Sequence, residues 1–255
     1  MARIMQEKNF TPFDIWQKGG VTEHIGGVSA TRRLLAHLSL TSGQHVLDVG
    51  CGTGFTACYL AKNHQVRVEA FDLTPRSIEK ARQRITRQDL ADQVHLTRAD
   101  AHHIPYPDDT FDAAILESLL VFCDPDIVTH ELYRVLKTGG AIGINELTLL
   151  KPPPQSLISL LANQLGIQTG QQGEWEAILR GAGFTNVSST VAKIRFREQI
   201  TSHLQADGIK NYLAALWAGM GDARIRSAFF NREMLSAARN FLPYVGYGLY
   251  VGKKS

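Results

Sequence analysis

From residue 45 onward, short apolar and β-branched runs alternate with stretches in which apolar residues recur every three to four positions. A strand that buries one face repeats every two residues and a helix every 3.6, so this alternation predicts strand followed by helix. The predicted strands are 45–50 (HVLDVG), 66–71, 94–98, 112–117 and 141–147, with helices between them. Two further runs, 185–196 and 245–253, read as later strands. Alternation at this spacing builds βαβ units, which makes the predicted fold α/β: seven strands, mostly parallel, with helices on both faces.

Local signals place several boundaries. Thr74 is an N-cap with Pro75 at the first helical position, and that helix is expected to run to about Arg87. Lys137-Thr138-Gly139-Gly140 is expected to close the helix before the fifth strand, and Pro152, Pro153 and Pro154 to interrupt the chain after it. A helix is also expected near 29–39. Residues 198–243 have helical spacing: Tyr212, Leu213, Leu216 and Trp217, then Phe229, Phe230, Met234, Leu235 and Ala238. They predict two amphipathic helices inserted before the last strand, whose apolar faces need a cover. The expected organisation is one domain over 1–255, with residues 1–40 as an N-terminal helical cover.

Composition narrows the partners. With 27 Lys and Arg against 24 Asp and Glu, the net charge is +3 and no basic arm stands out, which argues against nucleic acid. Cys51, Cys58 and Cys123 are odd in number and lack CxxC spacing, so neither a disulfide framework nor a metal site is expected. The first ten residues lack an apolar signal core, and the run AAILESLLVF is too short for a membrane span. The expectation is a cytoplasmic protein without a membrane span.

The chemistry lies where the first predicted strand meets Asp48-Val49-Gly50-Cys51-Gly52-Thr53-Gly54 and a helix follows. Glycines there let a ligand approach the backbone, and the helix start offers free amides to an anion. Asp72 lies 22 residues beyond Gly50, at the end of the second strand, where a carboxylate accepts hydrogen bonds from ribose hydroxyls. A nicotinamide or flavin fingerprint requires glycine where Phe55 stands, and Asp48 would repel a diphosphate. S-adenosylmethionine (SAM) instead carries an ammonium and a sulfonium for Asp48 and a carboxylate for the helix start.

Val46–Gly54, read as VLDVGCGTG, strongly resembles the first motif of the class I SAM-dependent methyltransferases. The stretch RADAHHIPYPDDTFDAAI, residues 98–115, is similar to their segment leading into strand four, in a spacing shared with ubiquinone and menaquinone C-methyltransferases. The resemblance implies a Rossmann-like fold. It also implies that Asp48, Gly50, Cys51, Gly52, Gly54 and Asp72 hold SAM, that Leu73 packs on the adenine, and that Asp100 and Ala101 meet its polar edge. The expected activity is in-line transfer of the methyl group to a small-molecule acceptor, leaving S-adenosylhomocysteine, with no metal. The alternatives are a nicotinamide-dependent oxidoreductase and a non-catalytic SAM-binding protein.

Glu117 and Glu146 end or interrupt apolar strands at the ligand-facing edge of such a sheet, and are candidate bases; Glu117 is also a candidate cofactor contact. His102 and His103 lie in a polar loop and are expected to be solvated rather than catalytic. Trp16, His24, Trp217 and Phe229 are candidates for the acceptor's pocket wall. For residues 198–243 a lid and a homodimer contact are both open.

Overall fold

The computed structural model describes residues 24–165, 167–195 and 242–255, together with the single positions 201, 209, 217 and 240. The elements are α1 (Gly27–Leu38), β1 (His45–Val49), α2 (Phe55–His64), β2 (Arg67–Asp72), α3 (Pro75–Arg87), β3 (Val94–Arg98) and β4 (Phe111–Glu117). They continue with a 3₁₀ turn (Leu120–Phe122), α4 (Pro125–Val135), β5 (Leu136–Leu149), α5 (Gln155–Leu165), β6 (Gly170–Gln171), α6 (Gln172–Gly181), β7 (Thr185–Lys193) and β8 (Val245–Lys253). One sheet runs in the order β3-β2-β1-β4-β5-β8-β7, with the two-residue β6 beside β5. The first five strands are mutually parallel, and β8 lies antiparallel between β5 and β7.

Both faces are buried, as a parallel sheet requires. Val46 of β1 packs with Leu34 of α1, Leu60 of α2 and Ile85 of α3 on one face. The neighbouring Leu47 points the other way and packs with Leu132 of α4 and Leu179 of α6. The chain passes outward from β1 to β3 and then returns to β4 on the opposite side of β1. The carboxyl ends of β1 and β4 therefore border the switch point of the sheet, where open α/β sheets take up ligands.

Thr74 caps α3 as its sequence predicts, accepting a hydrogen bond from the Ser77 amide, and Pro75 follows it. The prediction for Lys137–Gly140 needs correcting. Helix α4 stops at Val135, because Leu136 is fully buried and extended, paired with Phe111 of β4. Gly139 does adopt a positive φ of +80°, but it serves the start of β5, its amide donating to the Lys254 carbonyl at 2.8 Å. Tertiary pairing overrides the glycine stop signal here. Residues 150–184 hold α5, β6 and α6, which periodicity alone did not predict. Trp175 anchors α6 through its indole N–H, which donates to the Leu147 carbonyl at 3.1 Å. Of residues 198–243, positions 201, 209, 217 and 240 are each helical and 242–243 form a turn; the remainder lies outside the described residues. Among the described residues, no helix is long and apolar enough to cross a membrane.

The loop from Asp100 to Thr110 reaches the switch point and has little regular structure of its own. Arg134 of α4 holds it. Its Nη1 donates to the Tyr106 carbonyl and Asp108, and its Nη2 to the Ile104 carbonyl, at 2.8 to 2.9 Å. Glu131 steadies the guanidinium at 2.7 Å and also accepts the Ile104 amide at 2.9 Å. A planar five-donor group can bridge several carbonyls that an ammonium would reach one at a time. Arg134→Met should thus destabilise the protein by about 1 to 3 kcal/mol. Arg134→Lys should recover less than half of that loss in thermal unfolding. Equal stability of the Lys variant and the native protein would contradict the bridging role.

Candidate cofactor site at the sheet switch point

Strand β1 ends in a loop that turns through Gly50, Gly52 and Gly54, whose φ angles are +68°, +53° and +73°. The Cys51 amide donates to the Phe71 carbonyl at 2.9 Å and the Gly52 amide to Asp72 Oδ2 at 3.1 Å, fastening the loop to β2. A Cβ on Gly54 would lie 2.9 Å from Ala81 Cβ, so this glycine lets α3 pack against the loop. A Cβ on Gly52 would meet no atom of the described residues within 4 Å. It would project into open space, because Gly52 lines a cavity of about 360 Å³.

The cavity brings together most of the residues singled out from sequence. Asp48, Gly50, Cys51, Gly52, Asp72, Leu73, Asp100, Ala101, Glu117 and His24 all line it. Gly54 lies behind the loop instead, against Ala81. Trp217 is 78% exposed and is not among the lining residues. Trp16 and Phe229 lie outside the described residues.

Glu146 also departs from its expected place. It is fully buried, and its carboxylate accepts the Leu120 and Leu147 amides at 2.8 Å, capping the 3₁₀ turn rather than facing the cavity. Burial pushes its pKa up to about 7 against the pull of those amides. Its neighbour Asn145 is directly opposite Glu117 across β4 and β5, so Glu146 falls on the other face of the sheet.

Four carboxyl groups line the cavity: Asp48, Asp72, Asp100 and Glu117. Asp48 is only 3% exposed, and its Oδ2 has no hydrogen-bond partner among the described residues. Desolvation, reinforced by the charges of Glu117 and Asp72, raises its pKa to about 8, although the Ala57 amide opposes the shift. Asp72 is better satisfied: besides Gly52 it accepts the Thr74 amide and hydroxyl at 2.8 and 2.9 Å through Oδ1. Glu117 accepts hydroxyl hydrogen bonds from Thr56 at 2.8 Å and Thr31 at 3.0 Å, and an amide hydrogen bond from Asn145 at 3.0 Å. Asp100, at the opposite rim, accepts the His102 amide and faces its Nδ1 at 2.7 Å; these bonds hold its pKa below the usual carboxylate range.

Residues 46–140 match a family described as a methyltransferase domain. Over 211 residues the chain is 32% identical to 27-O-demethylrifamycin SV methyltransferase of Amycolatopsis mediterranei (strain S699), covering 75% of this chain and 77% of that protein. The chain belongs to the class I SAM-dependent methyltransferases. A second methyltransferase relative, GfsG of Streptomyces halstedii, is 37% identical over 124 residues; the match spans 48% of this chain and 45% of that protein's length. The fold is also that of phosphoethanolamine N-methyltransferase 2 of Haemonchus contortus in complex with SAM, with a TM-score of 0.77 at 18% identity, over 98% of this chain and 59% of that one.

This methyltransferase's cavity fits the cofactor of its family. The partnerless Asp48 oxygen complements an ammonium, and the open space at Gly52 admits a ligand close to the backbone. Membership also decides against the nicotinamide reading of the glycine loop.

Several site residues escaped the sequence reading. Thr31, Thr56, Ser118 and Asn145 are polar residues that carry no motif. The structure joins them around Glu117 and Ile25, with Ser118 Oγ accepting the Ile25 amide at 3.0 Å and Asn145 Nδ2 donating to the Ile25 carbonyl at 2.8 Å. A buried threonine on the apolar face of α1 was the available signal.

Gly52→Val should abolish SAM binding by calorimetry, since its side chain would occupy the cavity, at a backbone-strain cost to stability of about 1 to 3 kcal/mol. Native-like affinity in the folded variant would contradict this geometry. Asp48 sets a pH dependence as well. A carboxylate whose pKa is raised on folding favours the folded state while protonated. That contribution is lost as pH rises from its unfolded value of about 4 towards 8. Asp48→Asn should consequently flatten the fall in Tm over this window, measured without SAM. Glu146 contributes in the same direction, up to about pH 7, and would leave a residual slope. An unaltered pH slope in the variant would refute the assignment.

Proposed function

We propose that the protein transfers the SAM methyl group to a hydroxyl of a small molecule, with His24 removing the hydroxyl proton. The arrangement of His24, Thr31 and Glu117 at the cavity wall is the observation that carries this reading. In this reading the Thr31 hydroxyl donates its one hydrogen to Glu117, and the His24 Nε2 that lies 3.1 Å from Thr31 Oγ1 is the donor there. Nδ1 is then the nitrogen left to take a proton; it is itself buried, so in this reading the His24 ring, which lines the cavity, turns to meet the acceptor's hydroxyl. Nδ1 lies 3.5 Å from Glu117 Oε2, so an imidazolium formed there is paired with a buried carboxylate. The relative that acts on 27-O-demethylrifamycin SV, a compound named for a missing O-methyl group, supports an oxygen acceptor.

Bound SAM supplies the electrophilic methyl carbon and the sulfonium leaving group. In this reading Asp48 holds its ammonium, Asp72 its ribose hydroxyls, and Asp100 with the Ala101 amide its adenine, while Leu73 packs on the ring. Glu117 serves by orienting His24 and pairing with the imidazolium formed when His24 takes the proton, rather than as the base. Alignment of the acceptor in a water-poor cavity can supply on the order of 7 kcal/mol, and proton removal adds roughly two to four orders of magnitude in rate.

With a hydroxylated acceptor and isotopically labelled SAM, label should appear on oxygen. His24→Asn should lower kcat by about 10² to 10⁴ with SAM affinity within a few-fold. Label on nitrogen, carbon or sulfur would overturn the hydroxyl assignment, and kcat within threefold of the native value would remove His24 from the proton transfer.

A further inference from the structure

Helix α3 buries Ile78, Ala81 and Ile85, the last two in the core shared with the sheet and α2, and a charged residue shares that face. Arg84 is only 5% exposed. Its Nε donates to the Thr53 carbonyl at 3.0 Å, its Nη2 to Thr53 Oγ1 at 3.3 Å, and its guanidinium carbon lies 5.7 Å from the centre of the Phe55 ring. Methionine or leucine would fill such a place without the desolvation cost of a buried guanidinium. What the charge holds therefore matters.

Thr53 stands between Gly52 and Gly54, both in the left-handed region, where one peptide rotation redirects the whole loop. Its carbonyl precedes the helix cap at Gly54 and has no place in the helical ladder. The amide four residues on, Ala57, is bonded to Asp48. Arg84 supplies the missing donor. Ala81, one turn earlier on the same face, meets Gly54 where a Cβ would clash, so α3 templates the loop at two successive residues. Thr53 lines the cavity and Arg84 does not.

We infer that Arg84 is a positioning residue for the cofactor: by fixing the Thr53 peptide from behind, it sets the glycine loop in its SAM-binding form without touching SAM. The inference rests on the glycine loop being the cofactor site. A charged donor lost to a buried carbonyl leaves that carbonyl unsatisfied, and the loop's alternatives become accessible.

The test compares Arg84→Met, which keeps the bulk, and Arg84→Lys, which keeps the charge and one donor, with the native protein. SAM and S-adenosylhomocysteine dissociation constants are read by calorimetry, together with KM for each substrate and kcat. In Arg84→Met both dissociation constants and the KM for SAM should rise by about tenfold or more. kcat at saturating SAM and the acceptor KM should stay within about threefold, and Arg84→Lys should recover part of the affinity. If Arg84→Met does not fold, Arg84→Lys decides, with a rise of at least threefold expected for SAM alone. Unchanged SAM affinity in the folded variants, or equal losses in kcat and acceptor KM, would overturn the inference. Native protein that binds no SAM would instead refute the cofactor site itself.

Discussion

The start of helix α2 has no side-chain cap of its own: Gly54 occupies the cap position, so the first helical amides and the loop carbonyls need partners from elsewhere. They obtain them from three neighbours. Asp48 reaches up from β1 to the Ala57 amide, Asp72 from β2 takes the Gly52 amide, and Arg84 from α3 takes the Thr53 carbonyl. The loop is thus held by side chains from three elements, with Asp48 and Asp72 at the cavity and Arg84 behind it. The left-handed geometry of its glycines persists because β1, β2 and α3 each determine part of it.

This support has an electrostatic consequence. Parallel strands bring their carboxyl ends to one edge, and here three of them, β1, β2 and β4, end in or near a carboxylate: Asp48, Asp72 and Glu117. Asp72 and Glu117 are satisfied by amides and hydroxyls, whereas Asp48 keeps one buried oxygen without a partner among the described residues. Three carboxyl groups thereby gather at one edge of the cavity, and a cation bound beside Asp48 would favour its ionised form. The cavity is lined on the side of α1 by His24, whose contact with Thr31 and Glu117 ties that helix to the sheet edge. Through Glu117, hydrogen bonds also link Thr56 of α2, Thr31 of α1 and Asn145 of β5.

The sequence by itself determined the α/β architecture, because strand and helix periods are written into burial on both faces of a sheet. It also located the glycine loop at the end of β1, because glycine adopts positive φ values such as those of Gly50 and Gly54 at the least cost. The helix start at Thr74 and Pro75 was legible for the same local reason. What the tertiary structure alone decided lies in contacts between residues far apart in the chain. Glu117 and Glu146 look equivalent as acids at apolar strand ends, yet strand pairing sets Asn145 opposite Glu117 and turns Glu146 to the far face, where it caps a 3₁₀ turn. Lys137–Gly140 carries a helix-stop pattern, but the pairing of Leu136 with Phe111 ends α4 sooner. Arg84, Thr31 and Thr56 carry no motif, and each gains its meaning only from the carbonyl or carboxylate that folding sets beside it. Periodicity and special φ values are properties of single residues and their near neighbours. Which partner satisfies a buried polar group is settled by packing, and no local pattern encodes it.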